Sequence, residues 1–241
     1  MTRLDTSRPG RTPVPAAVDG TPVEGRGDSD EARVWRSTGW LGVGLTALTL
    51  VEVPLYFVYA GPPPDANILA RLLVTVLLVV GLVVFFARVR GLVVRAAAHL
   101  EWAATLLLAL VVMYGTLTFV AGALEGGLAI ASPENVDPTI AASGVYLIYG
   151  SIGRVITAAF LALAGYLTHA AGLLPRWTTR FAYALAMFSL AFVPSVFFGN
   201  DPTYFYSANG WGTTAVAGSS MMYWVLAAAI AMLVKGRTVQ G

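Results

Sequence analysis

Six apolar runs of about twenty residues constrain this chain more than any other feature, because each is long enough to cross a bilayer as a helix. A lipid interior offers no water to unpaired backbone groups, so such runs must satisfy their own N–H and C=O groups, and helices do this within one segment. Composition agrees: 57% of residues are hydrophobic, 12% are charged, and the mean hydropathy is +0.71. The fold class expected is an all-α membrane protein, a six-transmembrane-helix bundle preceded by a disordered N-terminal tail.

The runs are 40–60, 68–87, 100–121, 143–171, 181–198 and 214–234, within a transmembrane domain of residues 38–237. Gly61-Pro62-Pro63-Pro64-Asp65 and Leu174-Pro175-Arg176-Trp177 close two of the hairpins, since proline and glycine there do not continue a helix. Residues 1–37 mix Pro9, Pro13, Pro15 and Pro22 with Gly10, Gly20, Gly25 and Gly27 and with both signs of charge. So little apolar surface predicts a disordered cytoplasmic tail. No apolar stretch precedes a small-residue cleavage site in it, so the first span is expected to act as an uncleaved insertion signal.

Orientation follows from the basic residues, which cytoplasmic loops retain. Thirteen of the fifteen Lys and Arg residues lie in the tail, after span six, or in the connections after spans two and four. The other three connections hold Asp65, Glu125, Glu134, Asp137 and Asp201 and no Lys or Arg. This alternation predicts a multi-pass protein of the cytoplasmic (inner) membrane with both termini cytoplasmic, N-in and C-in. It also accounts for the net charge of +2 and the pI near 9.0 without nucleic acid as a partner; the partner expected is the lipid bilayer.

Three charged residues stand inside the spans, and an intramembrane charge is by default a candidate functional group. Arg154 shares a helix face with Ser143, Gly150, Ser151, Thr157, Ala158, Leu161, Gly165 and Thr168, which suits a bundle interior. The opposite face holds Val145, Ile152, Ile156, Ala159, Leu163 and Leu167 and is expected to meet lipid. Arg71 lies among Leu and Val near an outer helix end, where snorkelling to headgroups is the favoured account; for Arg154 snorkelling and a place in the bundle are balanced. Glu52, with a side chain too short to snorkel, is placed about 12 Å deep if the span ends at Ala60. It shares its face with Thr49, Tyr56 and Tyr59, and Pro54 is expected to kink the helix beside it. The competing account of Glu52 is a protonated side chain that holds helices together. The candidate binding residues are therefore Glu52, Arg154, Arg71, Tyr56 and Tyr59. The other outer aromatic and polar groups, Tyr146, Tyr149, Asn200, Asp201, Tyr204, Tyr206 and Trp211, fit an aromatic belt with a capped loop.

With no cysteine, the chain excludes thiol catalysis, disulfides and thiolate metal sites. Its two histidines, His99 and His169, fall at the cytoplasmic ends of spans three and four. A bis-histidine haem there is outweighed by ordinary interfacial histidines, so neither cofactor nor metal is expected. Nucleotide loops, nucleophile elbows and paired catalytic carboxylates are absent, and no catalytic residue is assigned.

The Gly172-Leu173-Leu174-Pro175-Arg176-Trp177 connection, between an Ala/Gly-rich and an aromatic span, resembles a hairpin that recurs in uncharacterised small polytopic inner-membrane proteins of high-GC bacteria. The resemblance covers about thirty residues; it implies an inner-membrane location and lends no catalytic residues. Three readings of function result. The first is a non-enzymatic bundle that binds or passes a small solute or proton at an outer-half polar site. The second is a structural or regulatory membrane subunit without transport, and the third, least favoured, a membrane-embedded enzyme.

Overall fold

In the computed structural model, which describes residues 24–59, 61–142 and 144–238, every regular element is helical. Six helices are long and apolar enough to span a membrane: α1 (Glu24–Leu55), α2 (Asp65–Ala96), α3 (Glu101–Ala131), α4 (Val145–Ala170), α5 (Arg176–Phe198) and α6 (Gly212–Thr238). Leu73, Leu77, Val80 and Val84 on α2 are exposed at helical spacing, an apolar stripe that only lipid accommodates along a whole helix. The chain is a polytopic helical membrane protein.

The helices close into a ring. Consecutive helices pack on one another from α1 to α6, α6 returns to pack on α1, and α4 also meets α6 across the ring. Small residues permit the closest approaches, as expected where lipid removes the hydrophobic drive for association. A Cβ on Gly42 of α1 would lie 2.7 Å from Ala229 Cβ of α6, and one on Gly39 2.9 Å from the Ala229 carbonyl. Below this, Phe86, Phe160 and Trp224 meet edge to face or stacked, with Phe86–Phe160 centroids 4.7 Å apart. Trp224 Nε1 donates to the Thr178 carbonyl at 3.2 Å, tying α6 to α5 through a fully buried indole.

Several expectations are corrected. Residues 24–37 are helical, where a disordered tail was expected, and from Ala32 onward this segment packs on the end of α6. Trp35 is buried, with Lys235 Nζ 4.4 Å from its ring centre, and a Cβ on Gly236 would meet Trp35 Cβ at 3.3 Å. The remainder of that tail, residues 1–23, lies outside the described residues, as do Ala60 and the expected start of span four at Ser143. Helix α1 ends at Leu55, five residues before the expected boundary, with Pro54 inside its last turn. The freed Leu55 carbonyl accepts from Asn67 Nδ2 of α2 at 3.2 Å. Arg88, Arg90 and Arg95 belong to α2, whose helix continues beyond the apolar run, and Arg90 pairs with Glu101 at 2.6 Å.

Helix α3 continues ten residues past the expected Ala121, carrying Glu125 inside the bundle. The apolar face expected for α4 is also partly wrong: Val145, Ile156 and Leu167 are buried, since this helix has neighbours on several sides. The Arg154 face is buried as expected, at Thr157, Ala158, Leu161, Gly165 and Thr168.

A polar cavity at the end of the bundle

Three connections, α1–α2, α3–α4 and α5–α6, converge at one end of the ring, and between them opens a cavity of about 270 Å³. A single water needs on the order of 10–15 Å³ by the same kind of measure, so there is space for a small solute. The cavity brings together all five candidate residues, Glu52, Arg71, Arg154, Tyr56 and Tyr59. They come from distant parts of the chain because the ring places α1, α2 and α4 around one opening.

Local helix spacing aims these groups. On α1, Thr49 and Glu52 are three residues apart, and on α2, Arg71 and Thr75 are four apart, so each pair shares a face. Glu52 lies three residues before the end of α1, about 4.5 Å by helix rise, which is much nearer the mouth than expected. One of its carboxylate oxygens accepts from the Thr75 hydroxyl. Arg71 is only 4% exposed and its guanidinium carbon sits 4.3 Å from the centre of the Tyr56 ring, a cation–π contact in place of the snorkelling alternative. Its Nε and Nη2 atoms are buried with no hydrogen-bond partner among the described residues. Both Glu52 and Glu125 lie in the electrostatic field of Arg71.

Arg154 is 2% exposed and Nη1 donates to the Ala217 carbonyl of α6. That carbonyl also accepts from the N–H and the hydroxyl of Ser220, and α6 is irregular there: residues Gly212–Val216 form a π-helical turn and regular α-helix begins only at Ser220. Just before Arg154, α4 is also wound as a π-helix over Ile148–Ile152, with Gly150 at φ −81 and ψ −116. A Cβ on Gly150 would lie 2.8 Å from the Ala208 carbonyl of the α5–α6 connection. Irregular backbone at membrane depth is tolerated where protein or a polar cavity meets it, and here both do. Among the described residues, Glu52 and Arg154 form no ion pair, although they share the cavity.

Sequence reasoning missed Glu125, Tyr114, Thr118, Asp137, Thr139 and Asn209. Glu125 was placed in a loop, yet it is 5% exposed on α3 and its Oε1 has no hydrogen-bond partner among the described residues. A signal was present: Ala121, Gly122, Gly126 and Ala129 surround it at i−4, i−3, i+1 and i+4, a small-residue face typical of a helix contact. Tyr114 and Thr118 sit four residues apart on α3 and face the cavity, and Tyr114 interacts electrostatically with Arg154. Of the aromatic-belt residues, Trp211 lines the cavity, whereas Tyr204 is exposed and Tyr206 donates to the Ala191 carbonyl.

Outside the membrane-spanning segments, the hydroxyl and N–H of Thr203 hold the exposed Asp201 carboxyl below the usual carboxylate range. No cluster of three or more His, Asp or Glu residues suited to a metal ion is present among the described residues. No protein-family model, curated protein or solved structure matches the chain.

Proposed function

We propose that this protein binds or passes a small solute or a proton through the cavity that Glu52, Arg71, Arg154, Tyr56 and Tyr59 share. It resides in the inner membrane with both termini cytoplasmic, so that the cavity opens outward. One observation carries the reading: a buried arginine lines a cavity of about 270 Å³ and leaves two of its nitrogens without a protein acceptor among the described residues. A buried donor without an acceptor costs about 1–3 kcal/mol, more when charged, and a purely structural arginine would be expected to avoid that cost. Four charged side chains, Glu52, Arg71, Asp137 and Arg154, and several hydroxyls around one space also match the way membrane proteins mark solute and proton paths.

The rival reading, a structural or regulatory subunit, draws on Arg154. Its hydrogen bond to Ala217 braces the irregular start of α6 and is sufficient reason for that residue by itself. The two readings separate on hydration. Because the chain lacks cysteine, single cysteines at Thr118 and Ser219, both cavity-lining, can be exposed to a small membrane-impermeant thiol reagent from outside. Both should react, while a cysteine at the fully buried Val89 should not. Failure of both cavity positions to react would leave the structural reading in possession of the site.

A further inference from the structure

The geometry points to a lipid site at the end of the bundle opposite the cavity: a groove between the start of α1 and the end of α6 that holds the phosphate of an anionic phospholipid. It is independent of the proposed solute cavity, so either can fail without the other.

The groove encloses about 210 Å³ and is lined by Arg36 and Trp40 of α1 and by Leu233 and Arg237 of α6. Each pair is four residues apart and so shares one face of its helix. Two glycines bring the faces together. A Cβ on Gly236 would lie 2.8 Å from Arg36 Cγ, and one on Gly39 2.7 Å from Leu233 Cγ, so the stem of Arg36 and the Leu233 side chain each lie over a glycine of the other helix. These contacts set α1 and α6 antiparallel, which sorts the lining residues into two levels. Arg36 and Arg237 stand toward the helix ends, and Trp40 and Leu233 stand about 6 Å nearer the bilayer centre by helix rise. A phospholipid has the same order, with its phosphate outermost, its ester groups next and its apolar chains beneath. Trp40 is 63% exposed, and its apolar ring with a polar N–H suits the boundary between headgroup and chain.

Charge selects the headgroup. Among the described residues, the charged side chains that line the groove are both arginines, and both are exposed. Arg88 of α2 donates to the Ser37 hydroxyl at 3.0 Å, which brings a third cation beside Arg36. The carboxylates of this end are engaged outside the groove: Asp30 pairs with Arg33 at 3.8 Å, Glu31 accepts from the Trp35 indole at 3.2 Å, and Glu101 pairs with Arg90 at 2.6 Å. Lys235 donates to the Leu173 carbonyl at 3.2 Å and lies against the Trp35 ring, so it faces the bundle. Orientation explains why basic residues gather at this end, but not why two of them, from opposite ends of the chain, flank one groove with tryptophan and leucine beneath. A guanidinium grips a phosphate through parallel N–H···O bonds, and basic pockets between membrane helices recognise anionic headgroups in this way.

The test uses the full chain in uncharged maltoside micelles, with bound lipid counted by native mass spectrometry as phosphatidylglycerol or phosphatidylcholine of the same acyl chains is added. Phosphatidylglycerol should bind about tenfold or more tightly than phosphatidylcholine, and Arg36→Gln and Arg237→Gln should each weaken phosphatidylglycerol by about fivefold, the scale of one basic residue at an anionic surface. Arg180→Gln removes an exposed arginine of α5 from the same end of the bundle and should leave that affinity unchanged. The Arg36 stem packs on Gly236, so if Arg36→Gln does not fold, Arg237→Gln, at an exposed position, decides by itself. Equal affinity for the two lipids would overturn the site. An equal loss in Arg180→Gln would do so as well, since it would mark a diffuse field and not a groove. Displacement of phosphatidylglycerol by equimolar glycerophosphoglycerol, the same headgroup without chains, would assign the groove to a free phosphate and overturn the lipid.

Discussion

Two glycines on α1, two residues apart, should respond to alanine with opposite signs. Gly42 faces the junction of α1, α2 and α6: an added Cβ would lie 2.7 Å from Ala229 Cβ and 2.9 Å from Phe85 Cε2. Favourable carbon contacts begin near 3.5–4.0 Å, so α1 would have to move by roughly 1 Å, and neighbours on two sides block the retreat. Neither obstacle is a flexible tip, since one is a Cβ and the other a ring in the fully buried Phe85. Overpacking of this kind costs about 1–3 kcal/mol. At Gly44, by contrast, nothing lies within 4 Å of the built Cβ and the residue is exposed. There alanine gains only helix propensity, about 0.5–1 kcal/mol. The two variants should therefore differ by about 1.5–4 kcal/mol in unfolding free energy measured by sodium dodecyl sulfate titration from mixed micelles. Equal effects, or a destabilised Gly44→Ala beside an unaffected Gly42→Ala, would refute the close α1–α6 contact that closes the ring.

Trp224→Phe should cost about 0.5–1.5 kcal/mol by removing the bond to the Thr178 carbonyl, and Trp224→Ala up to about 3–5 kcal/mol through the added cavity, by the same titration. Cysteines at Pro62, Glu134 and Tyr204 should label from outside in intact cells and one at Trp177 should not; the reverse pattern would invert the proposed orientation. Asn67→Ala should destabilise by about 1 kcal/mol in detergent, because its amide serves the carbonyl of Leu55, the last residue of α1. Glu52→Gln and Arg154→Gln should have additive effects on thermal stability, because no ion pair joins them; a strong non-additive term would show that they couple.

The architecture was legible because hydropathy is a one-dimensional signal, written in twenty-residue runs. Helix ends were less so, since the helix persists beyond lipid wherever a neighbour supports it. Trp35 illustrates this: its segment has a disordered composition, yet the ring lies against Lys235 from the opposite end of the chain. Glu125 shows the converse error, in which a carboxylate following an apolar run was taken for a loop residue although glycines and alanines around it carry the helix inward. The candidate residues were found one by one from their polarity, but their company was not, because contacts such as Arg71 with Tyr56 depend on how α1 ends and on which helices adjoin.

The irregular windings of α4 and α6 connect these observations. A regular helix spends its carbonyls internally and has none to offer an arginine in a low-dielectric interior. Here Gly150, Gly212 and Gly218 fall in or beside the irregular turns of the two helices, and the Ala217 carbonyl that follows the turn in α6 is shared between Ser220 and Arg154. Arg154 bonds to that backbone carbonyl and interacts with Tyr114, whereas Glu52 and Glu125 lie in the electrostatic field of Arg71. The two buried arginines thus differ in their surroundings: one bonds to the irregular start of α6 beside the cavity, and the other lies against the Tyr56 ring with its Nε and Nη2 atoms buried. Replacing Arg154 should for that reason alter the shape and stability of the site, and replacing Arg71 should alter what the site selects.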